Sequence, residues 1–244
     1  MKNSISLGSW ITVGSYNLTE VLADCGFDWL CIDIEHTSID YSKMEQMILT
    51  IQSKGIKAYV RVGENSELII KRALDSGADG IIIPSINNEE DAKKAVNYIK
   101  YPPFGKRGVG LSRAQGYGFN FDNYKNKFVK SIKIILQIEH IDAINNLEKI
   151  INVDGVDGTL IGPYDLSASL GNPGDWKNQK VIDALKKYEQ VNSRYNKLVG
   201  YHVIEPNYEL VLEKIRQGYN FIAFSLDTII LGTFAREQVK RIKK

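Results

Sequence analysis

Short apolar runs alternate along this chain with stretches whose apolar residues recur every three or four positions. The methionines and isoleucines between Met44 and Ile51 fall at i, i+3, i+4 and i+7, which is the period of a helix with one buried face. The runs between such stretches, as at 80–83, are apolar throughout. Continuous apolar strands are typical of parallel sheets that are buried on both faces. The pattern therefore predicts helices that alternate with buried parallel strands.

A glycine stands a few residues before several of the apolar runs. Glycine just after a helix adopts the left-handed conformation without a steric penalty, so it ends the helix and leads into the next strand. This position supports the same alternation of helix and strand. The glycines that fit it are Gly26, Gly55, Gly77 and Gly218.

Eight β/α units can be counted in the 244 residues. That number and this length predict an α/β fold, a closed (β/α)8 barrel of the TIM type, in a single domain over residues 1–244. A doubly wound parallel sheet is the alternative. The strands are predicted near 5–13, 28–34, 57–62, 79–84, 132–139, 156–161, 198–203 and 219–225.

The segment 100–131 is long for a connection between a helix and a strand. It holds two consecutive prolines, several glycines and tyrosines, and the cations Arg107 and Arg113. Long ordered connections are uncommon and are generally functional or interfacial. We therefore expect this segment to do more than link two elements.

Overall charge and composition exclude some classes of function. The formal net charge is +2, so the chain lacks the strongly basic character of nucleic-acid binding proteins. The most apolar late stretch, 221–235, contains Asp227 and is too short to span a bilayer. Cys25 and Cys31 are not in a metal-binding or redox spacing, and no signal peptide is expected. We expect a cytoplasmic protein that binds neither nucleic acid nor membrane.

Polar residues follow several predicted strands at their carboxyl ends. In a parallel barrel these ends meet at one face, where the active site lies. Gln137 and Glu139 are two residues apart and share one face of strand five, and Asp165 follows the adjacent strand six. Two carboxylates converging there make a hard-oxygen site that suits Mg²⁺, Mn²⁺ or a similar divalent ion. Strands seven and eight end near His202 and Ser225.

Other strand ends supply groups for proton transfer and charge stabilisation. Arg61 ends strand three as a planar cation that can stabilise an oxyanion. His36 is the natural proton carrier, and Asp33 is the natural group to orient it. Taken singly, such residues also fit structural roles: Asp165 as a helix cap and Glu35 in a salt bridge. No lysine falls at a predicted strand end, which argues against a Schiff-base mechanism.

These residues stand in motifs that resemble the HpcH/HpaI aldolases, the class II pyruvate aldolases typified by 4-hydroxy-2-oxo-heptanedioate aldolase. The resemblance extends over nearly the whole chain, and its motifs are specific in combination. The motifs are Gly26-Phe27-Asp28-Trp29, Asp33-Ile34-Glu35-His36, Val60-Arg61, Tyr101-Pro102-Pro103 with Gly105-Lys106-Arg107-Gly108, Gln137-Ile138-Glu139, and Gly155-Val156-Asp157-Gly158 running to Ile161-Gly162-Pro163-Tyr164-Asp165-Leu166-Ser167.

The resemblance implies a role for each of the strand-end residues and a divalent metal, Mg²⁺, Mn²⁺ or Co²⁺, as cofactor. In the best-known members small residues stand in place of Ile34 and Tyr164. Tyr164 is therefore expected to line the substrate pocket near the substrate carboxylate and to change its shape. The family's metal ligands fall on Glu139 and Asp165, its catalytic histidine on His36, its dyad aspartate on Asp33, its enolate-stabilising arginine on Arg61 and its active-site glutamine on Gln137.

The reaction implied by the resemblance is reversible aldol cleavage of a 4-hydroxy-2-oxo acid to pyruvate, or a close 2-oxo acid, and an aldehyde. Two alternatives stay open: a carbon–carbon lyase of the citrate-lyase-β type acting on an acyl-CoA thioester, and a non-catalytic barrel subunit. The resemblance also implies a homo-oligomer, a trimer or a hexamer. We predict that part of segment 100–131 reaches toward a neighbour's site, with Arg113 as a candidate for recognition of the acceptor aldehyde.

Overall fold

The structure, a computed structural model, describes residues 5–244. Eight parallel strands pair in chain order, and the last pairs with the first to close a barrel. The closure confirms the predicted (β/α)8 fold and excludes the doubly wound sheet, which has two free edges. The strands agree with the predicted ranges. They are β1 (Ser6–Ile11), β2 (Trp29–Asp33), β3 (Lys57–Arg61), β4 (Gly80–Ile83), β5 (Lys133–Ile138), β6 (Gly158–Ile161), β7 (Leu198–Val203) and β8 (Phe221–Leu226).

Helices cover the outside of the barrel and connect its strands. Within residues 5–244 no helix is both long enough and apolar enough to cross a bilayer. The helices are α1 (Tyr16–Ala23), α2 (Tyr41–Ser53), α3 (Glu67–Asp75), α4 (Glu89–Ile99), α5 (Phe121–Asn123), α6 (Val129–Ser131), α7 (Ile141–Asn152), α8 (Pro163–Ser169), α9 (Gln179–Asn192), α10 (Tyr208–Arg216) and α11 (Asp227–Ile242).

The helix α2 shows how local sequence sets these boundaries. Asp40 caps its amino terminus, and the Asp40 side chain accepts a hydrogen bond from the Lys43 backbone N–H at 2.8 Å. Its buried side chains are those of the predicted stripe between Met44 and Ile51. It ends before Gly55, which has a φ of +80°, a left-handed conformation that glycine adopts without strain. The predicted apolar stripe and the predicted capping glycine are both confirmed here.

Aromatic rings fill the amino-terminal half of the barrel interior. The Trp29 ring stacks on Phe221 with a centroid separation of 4.4 Å and on Tyr59 at 5.4 Å. It also lies over Gly8, where a Cβ would come within 2.0 Å of the ring, so only glycine leaves room at that position. Because this end is filled, open space in the barrel is restricted to the carboxyl ends of the strands.

A buried carboxylate fastens the carboxyl ends of β8 and β1 together. Asp227, which is 2% exposed, accepts hydrogen bonds from the backbone N–H groups of Thr12 and Val13, both at 2.9 Å. It also accepts one from the Thr12 hydroxyl at 2.6 Å. Because Thr12 follows β1 directly and Asp227 begins α11, these bonds fix the barrel mouth at the point of closure.

The segment 100–131 packs on its own barrel through its arginines. Arg107 is 1% exposed and donates to Asp75 Oδ1 at 2.6 Å. Arg113 donates to the Ser76 carbonyl oxygen at 2.7 Å. Asp75 and Ser76 lie where α3 ends, on the face opposite the carboxyl ends of the strands. The Arg113 guanidinium is thus held on its own barrel, and its contact with an acceptor in a neighbour's site stays a prediction.

Candidate active site

Two joined cavities open at the carboxyl ends of the strands. The outer cavity, of about 330 Å³, is lined by Glu139 and Asp165 among others, and the inner one, of about 310 Å³, by Arg61 and Gln137 among others. His36 and Asp165 border both cavities, so the two form one site. The structure thereby brings together all the predicted site residues, while their roles stay predictions. These residues are Asp33, His36, Arg61, Gln137, Glu139, Tyr164 and Asp165.

A two-pronged ion pair joins Asp33 to Arg61. The Arg61 Nε donates to Asp33 Oδ1 at 3.0 Å, and Nη2 donates to Oδ2 at 2.7 Å. The two residues are paired across β2 and β3, so neighbouring strand ends hold both of them. Burial by itself disfavours the charged guanidinium, but the hydrogen bond and charge of Asp33 hold the pKa of Arg61 above its usual value. Arg61 is therefore a fixed and permanent cation.

The side chains of Asp33 and His36 are not hydrogen-bonded to each other in this structure, and the orienting role of Asp33 stays a prediction. Asp33 Oδ1 accepts from the backbone N–H of Glu35 at 3.0 Å and of His36 at 3.4 Å, while the His36 Nε2 lies 3.5 Å from Glu35 Oε2. The physical reason is that Arg61 and the turn backbone already use the Asp33 carboxylate. Asp33 thus fixes the backbone that carries the histidine, and Glu35 is the carboxylate beside the ring.

Glu35 lies between the two groups with which it forms ion pairs. Its Oε2 is 3.1 Å from Arg61 Nη1 as well as 3.5 Å from the His36 ring. Partial burial raises the pKa of the Glu35 carboxyl, and the opposite charge of Arg61 works against that rise. The structure shows Glu35 in the salt bridge that the sequence allowed, and this salt bridge lies at the edge of the site.

Both oxygens of Glu139 are held by neighbouring donors. Oε1 accepts from the Ser85 backbone N–H at 2.6 Å and from its hydroxyl at 3.2 Å, and Oε2 accepts from Gln137 Nε2. Gly162, just after β6, allows the end of β6 to lie close to Glu139, because a Cβ at Gly162 would lie 3.0 Å from the Glu139 Cβ. The carboxylate is therefore fixed in direction before any ligand binds.

Ser85 is a site residue that the sequence reasoning missed. Its φ of +56° is rare for a residue with a side chain, and this conformation turns its N–H toward Glu139. Ser85 follows β4 by two residues, so the strand-end rule applies to it as it does to Asp165. The sequence predicted no carboxyl-end residue for strand one or strand four, although the same rule identifies Ser85 at the end of strand four.

Asp165 and Tyr164 occupy the first turn of α8. The residue at the cap position of this helix is Gly162, so Asp165 is not the helix cap that the sequence allowed. Its carboxylate is exposed and accepts no hydrogen bond within residues 5–244. The Tyr164 ring is 52% exposed and meets Trp176 edge to face, with centroids 4.7 Å apart. Tyr164 therefore lies at the mouth of the inner cavity.

His202, at the end of β7, lines the inner cavity as well. Its Nε2 lies 2.9 Å from the Ser225 carbonyl oxygen, and its ring centroid lies 5.3 Å from that of Trp10. Because a carbonyl can only accept, Nε2 carries the proton. Loss of hydration inside the barrel lowers the pKa of His202 to about 4, so the ring is neutral near pH 7. The sequence pointed to this strand end without giving it a role.

The fold and this geometry define a class of protein: a (β/α)8-barrel enzyme with paired carboxylates and a partly buried arginine in its active site. The family model for HpcH/HpaI aldolase/citrate lyase matches residues 6–231. The chain therefore belongs to the HpcH/HpaI aldolase/citrate lyase family, as the sequence motifs predicted.

Individual relatives agree with this assignment. The chain is 35% identical to 2-dehydro-3,6-dideoxy-6-sulfogluconate aldolase of Pseudomonas putida, over 99% of this chain and 94% of that protein. It is 32% identical to 2-keto-3-deoxy-L-rhamnonate aldolase of Escherichia coli O6:K15:H31 (strain 536 / UPEC), over 99% and 90%. The crystal structure of an HpcH/HpaI aldolase/citrate lyase family protein from Burkholderia cenocepacia J2315 matches with a TM-score of 0.94 at 30% identity, over 99% and 95%. The protein is a carbon–carbon lyase of the aldolase type.

Proposed function

We propose that this protein is a divalent-metal-dependent aldolase that reversibly cleaves a 4-hydroxy-2-oxo acid to pyruvate, or a close 2-oxo acid, and an aldehyde. The observation that carries the proposal is the position of Asp165. It borders the outer cavity together with Glu139 and the inner cavity together with Arg61. One small anionic substrate can therefore meet both the carboxylate pair and the fixed cation. The names of the two relatives describe 2-oxo sugar acids, which supports this substrate class.

The donor atoms at the site fit a hard divalent cation, Mg²⁺, Mn²⁺ or Co²⁺. Glu139 and Asp165 present carboxylate oxygens to one cavity, and Gln137 Oε1 is buried beside them without a partner among residues 5–244. Carboxylate oxygens are the ligands that such ions prefer. Within the same residues no three His, Cys, Asp or Glu side chains gather as a metal group, so Glu139 and Asp165 would hold the ion as a pair. A bound ion would supply Lewis acidity to the 2-oxo group.

Arg61 supplies positive charge to the oxygen of the 2-oxo group as the carbon–carbon bond breaks. Its two hydrogen bonds to Asp33 fix the guanidinium in advance, and the Trp10 ring lies 4.6 Å from its Cζ. A charge that is already in place stabilises a developing oxyanion without reorganisation during the reaction. The chain's own contribution to enolate stabilisation thus centres on Arg61.

His36 is the residue placed to move the proton of the C4 hydroxyl. It borders both cavities, and its Nε2 lies 3.5 Å from the Glu35 carboxylate. A neutral imidazole takes the hydroxyl proton as the C3–C4 bond breaks and returns it in the condensation direction. His202 does not compete for this role, because its low pKa, about 4, makes it a weak base.

Removal of divalent ions is expected to abolish aldol cleavage. In excess EDTA the rate of pyruvate release should fall by at least about 100-fold, because Lewis-acid stabilisation contributes several kcal/mol to the barrier. Mg²⁺, Mn²⁺ or Co²⁺ should restore the rate, and mass spectrometry should detect the condensation products of pyruvate with a panel of aldehydes. Full activity in EDTA would overturn the metal assignment.

Borohydride provides the matching control for a Schiff-base mechanism. Neither cavity is lined by a lysine among residues 5–244, so reduction in the presence of pyruvate should leave no covalent adduct. Intact mass spectrometry measures this directly. A lysine adduct would replace the proposed mechanism with the Schiff-base one.

The helix α11 has an apolar face that its own barrel leaves uncovered. In this fully described helix only Asp227 is buried, whereas Leu231 and Phe234 are each 65% exposed and Ile242 is 82% exposed. The helices of a barrel ordinarily bury one apolar face. The proposed assembly is a homo-oligomer, a trimer or a hexamer, in which a second copy of the chain covers α11.

Light scattering at micromolar concentration is expected to show the oligomer. The double change Leu231→Glu with Phe234→Glu puts two charges into the proposed contact, so the mass should fall toward that of the monomer. Glu237→Gln on the same helix is the control and should leave the mass unchanged, since Glu237 is exposed and charged. A monomeric wild-type protein would contradict the proposal.

A further inference from the structure

His202 is a polar group on an apolar part of the cavity floor. The inner cavity around it is lined by Trp10, Leu160 and Leu226, which belong to or pack on the apolar cluster inside the barrel. A polar side chain enclosed in such surroundings is costly unless its hydrogen-bonding atoms find partners. Both ring nitrogens of His202 therefore need hydrogen-bond partners.

One ring nitrogen of His202 is satisfied by a strained backbone carbonyl. Nε2 donates to the Ser225 oxygen at 2.9 Å. Ser225 has a φ of +51°, and its hydroxyl donates to the Ile204 carbonyl oxygen at 2.7 Å, so its own conformation is held in place. The carbonyl of Ser225 is thereby kept directed at the ring, and it fixes the tautomer of His202 with its proton on Nε2.

The other ring nitrogen is left as a hydrogen-bond acceptor. With the proton on Nε2 and the ring neutral, Nδ1 has a free lone pair, and no group within residues 5–244 donates to it. The ring borders the cavity, so the donor that is lacking has to come from the contents of the cavity. A hydroxyl of the substrate is such a donor.

The depth of His202 in the site determines which part of the substrate lies next to its ring. The aldehyde adds to an enolate that has already formed, so it approaches from solvent, past Tyr164 and Trp176 at the mouth. The 2-oxo acid then occupies the deeper part of the site. In the proposed function its carboxylate and 2-oxo oxygens lie next to Asp165 and Arg61. The remaining carbon, C3, then lies against the cavity floor.

We infer that His202 Nδ1 accepts a hydrogen bond from a hydroxyl on C3 of the 2-oxo acid, so that the site takes hydroxypyruvate as a donor and 3,4-dihydroxy-2-oxo acids as cleavage substrates. The inference rests on the proposed function and extends its substrate class. Both relatives are named for substrates that are deoxy at carbon 3. A 3-deoxy substrate presents only a methylene group at C3, and pyruvate only a methyl group, so Nδ1 is left without a donor.

Donor preference measured in three forms of the enzyme tests this inference. The quantity is kcat/KM for hydroxypyruvate divided by kcat/KM for pyruvate, with the same aldehyde and metal ion. Relative to wild type, His202→Leu should lower this ratio by about 10- to 100-fold, because it removes the acceptor and keeps the volume. His202→Gln retains an acceptor and should lower the ratio less. Tyr201→Phe, the neighbouring position on the same strand, is the control.

Binding separates failure of the inference from failure of the proposed function. Calorimetry of hydroxypyruvate and pyruvate binding to the Mn²⁺-loaded protein gives the ratio of their affinities without turnover, and His202→Leu should lower this binding ratio as well. If no metal ion supports aldol chemistry, the proposed function fails, and the binding ratio still decides the role of His202. A ratio that is unchanged within twofold in folded His202→Leu protein overturns the inference.

A spectroscopic measurement on the wild-type protein requires no variant to fold. The ¹⁵N resonance of an unprotonated imidazole nitrogen moves when that nitrogen accepts a hydrogen bond. Hydroxypyruvate is expected to shift the Nδ1 resonance of His202, whereas pyruvate is expected to leave it near its unbound position. Equal shifts with the two acids would contradict the assignment.

Discussion

Replacement of Arg61 by alanine is expected to lower kcat/KM for aldol cleavage by about three orders of magnitude. Among residues 5–244, Arg61 is the only arginine or lysine that lines the inner cavity, and loss of a preorganised group of this kind typically costs 10²–10³-fold or more. Exchange of the pyruvate methyl protons in D₂O, followed by NMR, isolates enolate formation from the later steps. That exchange should fall with kcat/KM, because both need the same stabilised oxyanion.

Two variants distinguish this chemical role of Arg61 from a structural one. Arg61→Ala also leaves the buried Asp33 carboxylate without its partner, which costs about 3–5 kcal/mol of stability if the charge stays unpaired. Arg61→Lys keeps the charge but cannot make both hydrogen bonds, so it should fold better and still lose about 100-fold in exchange. Arg194→Ala, at an exposed ion pair, is the control. Exchange at the wild-type rate in folded Arg61→Lys protein would remove Arg61 from the mechanism.

Replacement of either proposed metal ligand is expected to lower metal affinity by at least about 100-fold. Loss of groups that only orient metal ligands already costs 10–100-fold, so loss of one of two carboxylate ligands should cost more. The variants are Glu139→Gln and Asp165→Asn, which keep side-chain size and remove charge. Mn²⁺ binding measured by electron paramagnetic resonance reports on the site without turnover.

The two ligand variants should also differ from each other in a way that the structure specifies. Glu139 is held by Ser85 and Gln137, whereas Asp165 accepts no hydrogen bond within residues 5–244. Glu139→Gln should therefore disturb its neighbours and lower the thermal unfolding temperature, while Asp165→Asn should leave it near wild type. Asp183→Asn, at an exposed carboxylate of α9, is the control for both. Wild-type Mn²⁺ affinity in Asp165→Asn would exclude Asp165 as a ligand.

Much of the site could be predicted because parallel strands bring their ends together. Position at the carboxyl end of a predicted strand was enough to identify Asp33, Arg61 and Gln137. The barrel places all three around one cavity. The pairing within that set could not be predicted. The side chain that meets His36 depends on which acceptors the Arg61 guanidinium has already taken, and this competition is decided in three dimensions.

His202 and α11 are two further features that the sequence could not decide. For His202, the sequence placed the residue at a strand end, but its tautomer depends on the carbonyl of Ser225, which comes from the next strand. For α11, the sequence contains the apolar residues Ile229, Ile230, Leu231 and Phe234 but does not show whether they are covered. The structure answers that for one copy of the chain, in which Leu231 and Phe234 remain exposed.

The sequence by itself determined the barrel and the residues that surround its mouth. Local periodicity and glycine caps act within one helix or strand, and repetition of the β/α unit leaves few ways to close the sheet. Only the tertiary structure decided the contacts within the site: Asp33 with Arg61, Glu35 beside His36, and Ser85 on Glu139. Such contacts depend on distances of an ångström between side chains from different strands, and neither strand's sequence specifies the position of its neighbour.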